Sequence, residues 1–386
     1  MPPVENPEHS SFLRIPPLDG VRGLAILIVL VHNAAWVAES GEHLLFKLVV
    51  AVASTGWIGV QLFFVLSGFL ITGILLDSKG KRDYFRSFYI RRALRILPVY
   101  YFVVGLMVLL AATVSWSPEW SRAVLAHQWP YWFYLSNWVQ PFNLGISGLS
   151  HLWSLAVEEQ FYLLWPLVVW LVPRHRLRAL CIGLVVATPF IRLGLRLFGL
   201  PEGTAYMFTV ARWDALAAGA LVAVLVRDPS GRAWLERWRA SIGFTAGAGV
   251  LLLTGWLHGF HSDEVTVQVV GQSLIILVSG SLIAAAVADD SRAPIRRLQA
   301  HLSRPWLRML GKYSYAMYLF HFPISQLLTA LFGEQVRGAD TLWRLPRLAA
   351  YVTVVFGLTL LAAMASWRLI EKPFLDLKDR IAPRPA

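Results

Sequence analysis

Ten apolar stretches, each about the length that a helix needs to cross hydrocarbon, recur near 22–38, 57–76, 97–115, 151–172, 179–199, 205–226, 240–258, 266–288, 313–332 and 347–369. Such segments leave the backbone little choice. Inside a bilayer no water is available to its N–H and C=O groups, and a helix satisfies them within one segment. A hydrophobic share of 56% against 15% charged residues agrees with this reading. The expected fold class is an all-α polytopic membrane protein with about ten transmembrane helices.

A net charge of +12 is often a sign of nucleic-acid binding, but here the basic residues follow the loops. Residues 77–96 hold seven Lys and Arg, the loops after the fourth, sixth, eighth and tenth stretches hold most of the others, and the loops between hold few. That alternation obeys the positive-inside rule, places both termini in the cytoplasm and makes membrane lipids, not nucleic acid, the expected partner. Residues 1–21 are polar and proline-bearing and lack the basic start and small-residue cleavage site of a secretory signal, so the first span is expected to stay in the mature protein. A single cysteine, Cys181, allows no intramolecular disulfide. The expected organisation is a cytoplasmic N-terminal segment 1–21, a membrane domain 22–370 and a cytoplasmic tail 371–386, with a Trp-, Tyr- and Pro-rich outward loop near 116–150.

Ionisable side chains at membrane depth are costly and commonly functional, which draws attention first to His32. Arg22 stands near the cytoplasmic end of the first span, and ten residues at about 1.5 Å each carry His32 roughly 15 Å deeper, close to mid-bilayer. In the fourth span, Ser154, Glu158 and Tyr162 recur at four-residue intervals on one helical face, while Glu159 shares its face with Leu155 and Leu163. Glu158 is therefore the better placed of the two acids to orient the His32 imidazole and leave its other nitrogen as a general base. Where the third span begins, Arg91 and Arg95 offer two guanidinium forks on one face, with Arg92 beside them. The pyrophosphate of a nucleotide-like cofactor and anionic lipid headgroups both suit such a pair. Arg212 and Asp214 lie two apart, cannot face the same way on a regular helix, and each needs a partner elsewhere. His321 is a second mid-membrane histidine, two residues before Pro323, which is expected to interrupt the helix. Glu371 and Lys372 read as caps of the last span. Gly68 and Thr72 have the small-residue spacing of a close helix contact. There is no Gly-rich phosphate loop, zinc-type Cys/His spacing or Gly-x-Ser-x-Gly elbow, so no metal site is expected.

In order along the chain, Leu-Asp-Gly-Val-Arg-Gly-Leu-Ala at 18–25, Phe-Phe-Val-Leu-Ser-Gly-Phe-Leu at 63–70, Arg-Arg-Ala-Leu-Arg-Ile-Leu-Pro at 91–98, Trp-Ser-Leu-Ala-Val-Glu-Glu-Gln-Phe-Tyr at 153–162, Ser-Tyr-Ala-Met-Tyr-Leu-Phe-His at 314–321 and Glu-Lys-Pro-Phe at 371–374 resemble the integral-membrane acyltransferase 3 family. The resemblance implies a ten-helix enzyme of the inner (cytoplasmic) membrane. Such an enzyme takes an acyl group, commonly acetyl, from cytoplasmic acyl-coenzyme A and passes it to a hydroxyl of a glycan, glycolipid or secondary metabolite. It further implies that His32 is catalytic and that Arg22, Arg91 and Arg95 serve the donor. The family pattern has ten residues between arginine and histidine, whereas nine separate Arg22 from His32, which turns the side chain by about 100°. Some members carry a C-terminal esterase-like domain; with the chain ending at 386, transfer is expected to be completed by the membrane domain or by a separate periplasmic partner.

The rival reading is a proton-coupled transporter or flippase of a lipid-linked sugar or acyl compound, which buried His, Glu and Arg would also suit. The last five spans do not repeat the motifs of the first five.

Overall fold

The computed structural model describes residues 15–35, 37, 44–114, 117–337 and 341–381. It is all-α, with no strand among the described residues. Ten helices coincide with the ten apolar stretches: α1 (Pro16–Ala35), α2 (Ile58–Ser78), α3 (Tyr84–Thr113), α4 (Trp153–Leu171), α5 (Arg174–Leu197), α6 (Trp213–Leu225), α7 (Pro229–Trp256), α8 (Gln272–Ala286), α9 (Pro305–Arg337) and α10 (Thr341–Ser366). Among the described residues, seven helical segments are long and apolar enough to cross a membrane by length and composition. The exceptions are α4, which carries Glu158 and Glu159, the 13-residue α6, and α7, whose first half is charged. Parts of the expected terminal segments, residues 1–14 and 382–386, lie outside the described residues.

The hub is α2, with α1, α4, α6 and α8 packed around it. The span that contains α2 is 72% buried, whereas the span of α5 is only 17% buried. A helix apolar all round belongs in an interior, and α2 and the short α6 are both of that kind. Peripheral helices turn Phe190, Leu197, Phe244, Leu251 and Trp256 outward, as a lipid-facing surface requires.

Glycine sets how closely the central helices approach. A Cβ on Gly68 would lie 1.9 Å from the Leu216 carbonyl oxygen, and one on Gly219 would lie 1.8 Å from that of Val65, so α2 and α6 touch backbone to backbone. Where α1 meets α9, a Cβ on Gly23 would lie 2.0 Å from the Leu307 oxygen and one on Gly311 would lie 1.9 Å from that of Asp19. In lipid, helices gain nothing from hiding apolar surface from water, so association rests on such packing. The loop expected near 116–150 folds into a helix, Pro118–His127, and short helical turns held by the buried Tyr131. The Tyr131 hydroxyl accepts from the Ile146 amide at 2.8 Å, while the Tyr100 hydroxyl donates to the Tyr131 carbonyl at 2.7 Å.

Gly219→Ala should destabilise the protein by about 3 kcal/mol or more, because the new methyl overlaps a backbone oxygen. Gly247→Ala, which meets nothing within 4 Å, should change stability by less than about 1 kcal/mol. Thermal unfolding of the two variants in detergent compares them directly.

Candidate active site

A partly open cavity is bounded by α1, α2, α3, α4 and α9. Arg22, Arg92 and Arg95 bring three guanidinium groups to its wall. Ser67, Ser154, Glu158, Glu159 and Tyr162 join them from α2 and α4, with Ser314, Tyr315 and Tyr318 from α9. Residues far apart in sequence therefore face one space.

The arginine pair on this wall is Arg92 with Arg95, not Arg91 with Arg95. Phe88, Ile96 and Val99 are the buried members of that face of α3, and Arg92 and Arg95 share its spacing of three and four residues. Arg91 is one position off this face and is not on the cavity wall. The Arg92 guanidinium lies 4.4 Å above the Tyr162 ring, and Arg22 pairs with Asp19 at 3.1 Å. Glu371 completes the surroundings of Arg95. It is buried, not the interfacial cap expected of it, because a π-helical turn over Trp367–Glu371 draws it inward, and its charge acts on Arg95 and Lys312. Lys372 instead pairs with Asp376 at the surface, at 2.8 Å.

Glu158 does not orient His32. Its carboxylate accepts from the Ser67 hydroxyl at 2.7 Å and from the Tyr162 hydroxyl at 3.1 Å, and Tyr162 also reaches Ser67 at 3.0 Å. The acid thus fixes the ring on which Arg92 rests. His32 is held by backbone, its Nδ1 lying 2.9 Å from the Ala53 carbonyl oxygen. A carbonyl only accepts, so Nδ1 carries the proton and Nε2 is the basic nitrogen. The approach of this segment depends on Gly56, where a Cβ would lie 2.5 Å from the Cβ of His32.

α1 remains a regular α-helix through His32, so the short spacing to Arg22 is not compensated by local winding. Asn33, eleven residues beyond Arg22, shares the arginine's face to within about 20°, whereas His32 points about 80° away. Accordingly His32 is not on the cavity wall, and Asn33 donates from Nδ2 to the Val29 carbonyl at 3.0 Å.

Arg212 and Asp214 take separate partners, as their spacing requires. Asp214 pairs with the fully buried Arg192 at 2.5 Å. Arg212 donates to the Tyr206 carbonyl and to Gln272 Oε1, both at 2.5 Å, and stacks on the Tyr206 and Trp153 rings at 4.3 and 5.6 Å. Neither residue lines the cavity.

His321 lies within α9, which continues through Pro323. Its Nδ1 is 2.7 Å from the Tyr318 carbonyl oxygen, and its ring centroid is 5.1 Å from that of His151. Proline has no N–H, so the Leu319 carbonyl four residues before it lacks its helical donor; His151 Nε2 supplies one at 3.2 Å. Ser154 reaches the Tyr318 hydroxyl at 2.6 Å, and both hydroxyls contact the His151 carbonyl. Ser67, Tyr318 and His151 escaped the sequence reading as site residues, and Glu371 was read only as a cap. For Tyr318 the signal was present, three residues before His321; Ser67 carries none, since its partner Glu158 is 91 residues away.

Comparison with known proteins places these features in a family. The model of the acyltransferase domain matches residues 15–368. The peptidoglycan O-acetyltransferase OatA of Listeria monocytogenes is 29% identical over 374 residues, covering 93% of this chain and 55% of that protein. The O-acetyltransferase OatA of Staphylococcus aureus is 30% identical over 387 residues, covering 93% of this chain and 57% of its own length. The chain thus spans little more than half the length of these curated relatives. No solved structure matches it.

Asp214→Asn should cost about 3–5 kcal/mol, because it leaves Arg192 buried and unpaired. Arg192→Met combined with Asp214→Leu should recover most of that loss, as measured by unfolding in detergent.

Proposed function

Because the chain belongs to the acyltransferase 3 family, we propose that it is an inner-membrane O-acyltransferase that moves an acetyl group from cytoplasmic acetyl-coenzyme A to a hydroxyl of a cell-wall glycan, peptidoglycan being the favoured acceptor. The observation that carries this reading is a cavity that joins three arginines to the hydroxyl- and carboxylate-bearing wall of α4 and α9. An acyl-coenzyme A has the matching polarity, with phosphates at one end and a thioester at the other.

Arg92, Arg95 and Arg22 hold the phosphates, and a guanidinium fork suits them better than a point charge. The arginine end faces the cytoplasm, in keeping with the basic residues 79–95 beside it. Tyr162 fixes Arg92 through its ring and is itself fixed by Glu158 and Ser67, which makes Glu158 a positioning residue. The thioester end reaches toward Ser154 and Tyr318. His32, its tautomer set by the Ala53 carbonyl, takes the acceptor hydroxyl proton on Nε2 as the oxygen attacks the acyl carbon. The acceptor approaches from the opposite membrane face, and the membrane domain 22–370 carries the whole of this machinery. The peptidoglycan assignment follows the names of the relatives.

Membranes containing the protein, labelled acetyl-coenzyme A and a peptidoglycan acceptor should yield base-labile esters. His32→Ala should lower ester formation ~100-fold or more at equal protein level. Arg92→Ala with Arg95→Ala should raise the KM for acetyl-coenzyme A by about tenfold or more, through loss of charge-assisted hydrogen bonds. Unchanged ester formation in His32→Ala would remove its assigned role, and solute uptake without consumption of acetyl-coenzyme A would identify a transporter.

A further inference from the structure

The cavity changes character along its length. At one end Arg22, Arg92, Glu158 and Glu159 are half-buried and Arg95 is exposed, whereas Val60, Phe64, Ser154, Leu155 and Tyr318 on the same wall are buried. The helices give the direction between the two ends. On α4, Tyr162, on which Arg92 rests, is eight residues or about 12 Å from Ser154. On α2, Ser67 is one turn from Phe63 and Phe64 and two turns from Val60, and on α9 Tyr318 comes one turn after Tyr315. Each of the three helices thus leads from the accessible, charged end to a buried end rich in apolar side chains.

Tyr318 is held firmly at that buried end. Its hydroxyl lies 2.6 Å from the Ser154 hydroxyl and 3.1 Å from the His151 carbonyl oxygen, which Ser154 also reaches at 3.2 Å. The edge of its ring meets Phe63 at 6.3 Å between centroids. The rings of His151 and His321, at 5.5 and 5.3 Å, are buried and off the cavity wall, so they fill the space behind it. A ring fastened at its hydroxyl and backed by close-packed side chains moves aside only by giving up hydrogen bonds in an interior that offers no replacement. Resting on the acyltransfer reading above, we propose that Tyr318 limits the transferred group to acetyl. A thioester entering from the arginine end points its acyl chain into the chamber formed by Val60, Phe63, Phe64 and Leu155, and each added methylene runs into the Tyr318 ring.

The ratio of kcat/KM for two donors separates this role from packing, because a fault in folding lowers both alike. The whole purified chain in liposomes is supplied with peptidoglycan fragments and either labelled acetyl- or labelled butyryl-coenzyme A. The unsubstituted protein should favour acetyl by ~100-fold, one methylene refused by a packed pocket being worth about 10- to 200-fold. Tyr318→Ala removes the ring and should shift the ratio toward butyryl by ~10-fold or more. Phe63→Ala widens the same chamber without uncovering the two histidines and should shift it in the same direction, while Tyr318→Phe keeps the ring and should keep the preference. Equal loss with both donors in Tyr318→Ala and an unmoved ratio in Phe63→Ala assign the ring to packing and overturn the proposal. Equal use of the two donors by the unsubstituted protein likewise overturns it and leaves the acyltransferase reading standing. If the unsubstituted protein forms no ester from either donor, both readings fall.

Discussion

Hydrocarbon offers a buried carbonyl or guanidinium no water to turn to, and the polar interior of this protein is arranged around that constraint. Its effect is clearest at Pro323. The missing N–H orphans the Leu319 carbonyl, the orphaned carbonyl takes a proton donor from His151, and that bond decides which nitrogen of His151 remains basic. The same demand pairs Asp214 with Arg192 and sets His32 against Ala53. In each case a structural need for one hydrogen bond fixes the chemical state of a side chain that can also react.

Close packing decides where room is left. Gly68 and Gly219 draw α2 onto α6, and Gly20, Gly23 and Gly311 draw α1 onto the α9 side, so these four helices form a tight centre. No comparable glycine crossing binds α3 to that centre. The arginine-bearing start of α3 instead stands off it through long side chains, and the cavity occupies the gap. The polar network Glu158–Ser67–Tyr162 lines that gap and keeps its wall ordered without filling it.

Much of this was legible in the sequence because membrane depth makes helices obligatory and charges conspicuous. All ten stretches coincide with helices, and Arg22, Arg95 and Glu158 do share one space. What escaped depends on rotation and on local backbone irregularity. The four-residue spacing of Arg91 and Arg95 in α3 cannot decide between Arg91 and Arg92 until the inward face is known from Phe88, Ile96 and Val99. Glu371 enters the interior through a π-helical turn that composition does not announce. His151 was overlooked because its meaning lies in a proline on another helix, and Ser67 because hydroxyls are ordinary in a packed span.

The spacing between Arg22 and His32 shows how one residue can reorganise a site. Eleven residues make just over three full helical turns and would set arginine and histidine on one face; ten turn them about 80° apart. In this chain the helix does not compensate, and the eleventh position is filled by Asn33, whose amide is tied to its own backbone. His32 is consequently held against Ala53 and Gly56, outside the wall that Arg22 helps to form.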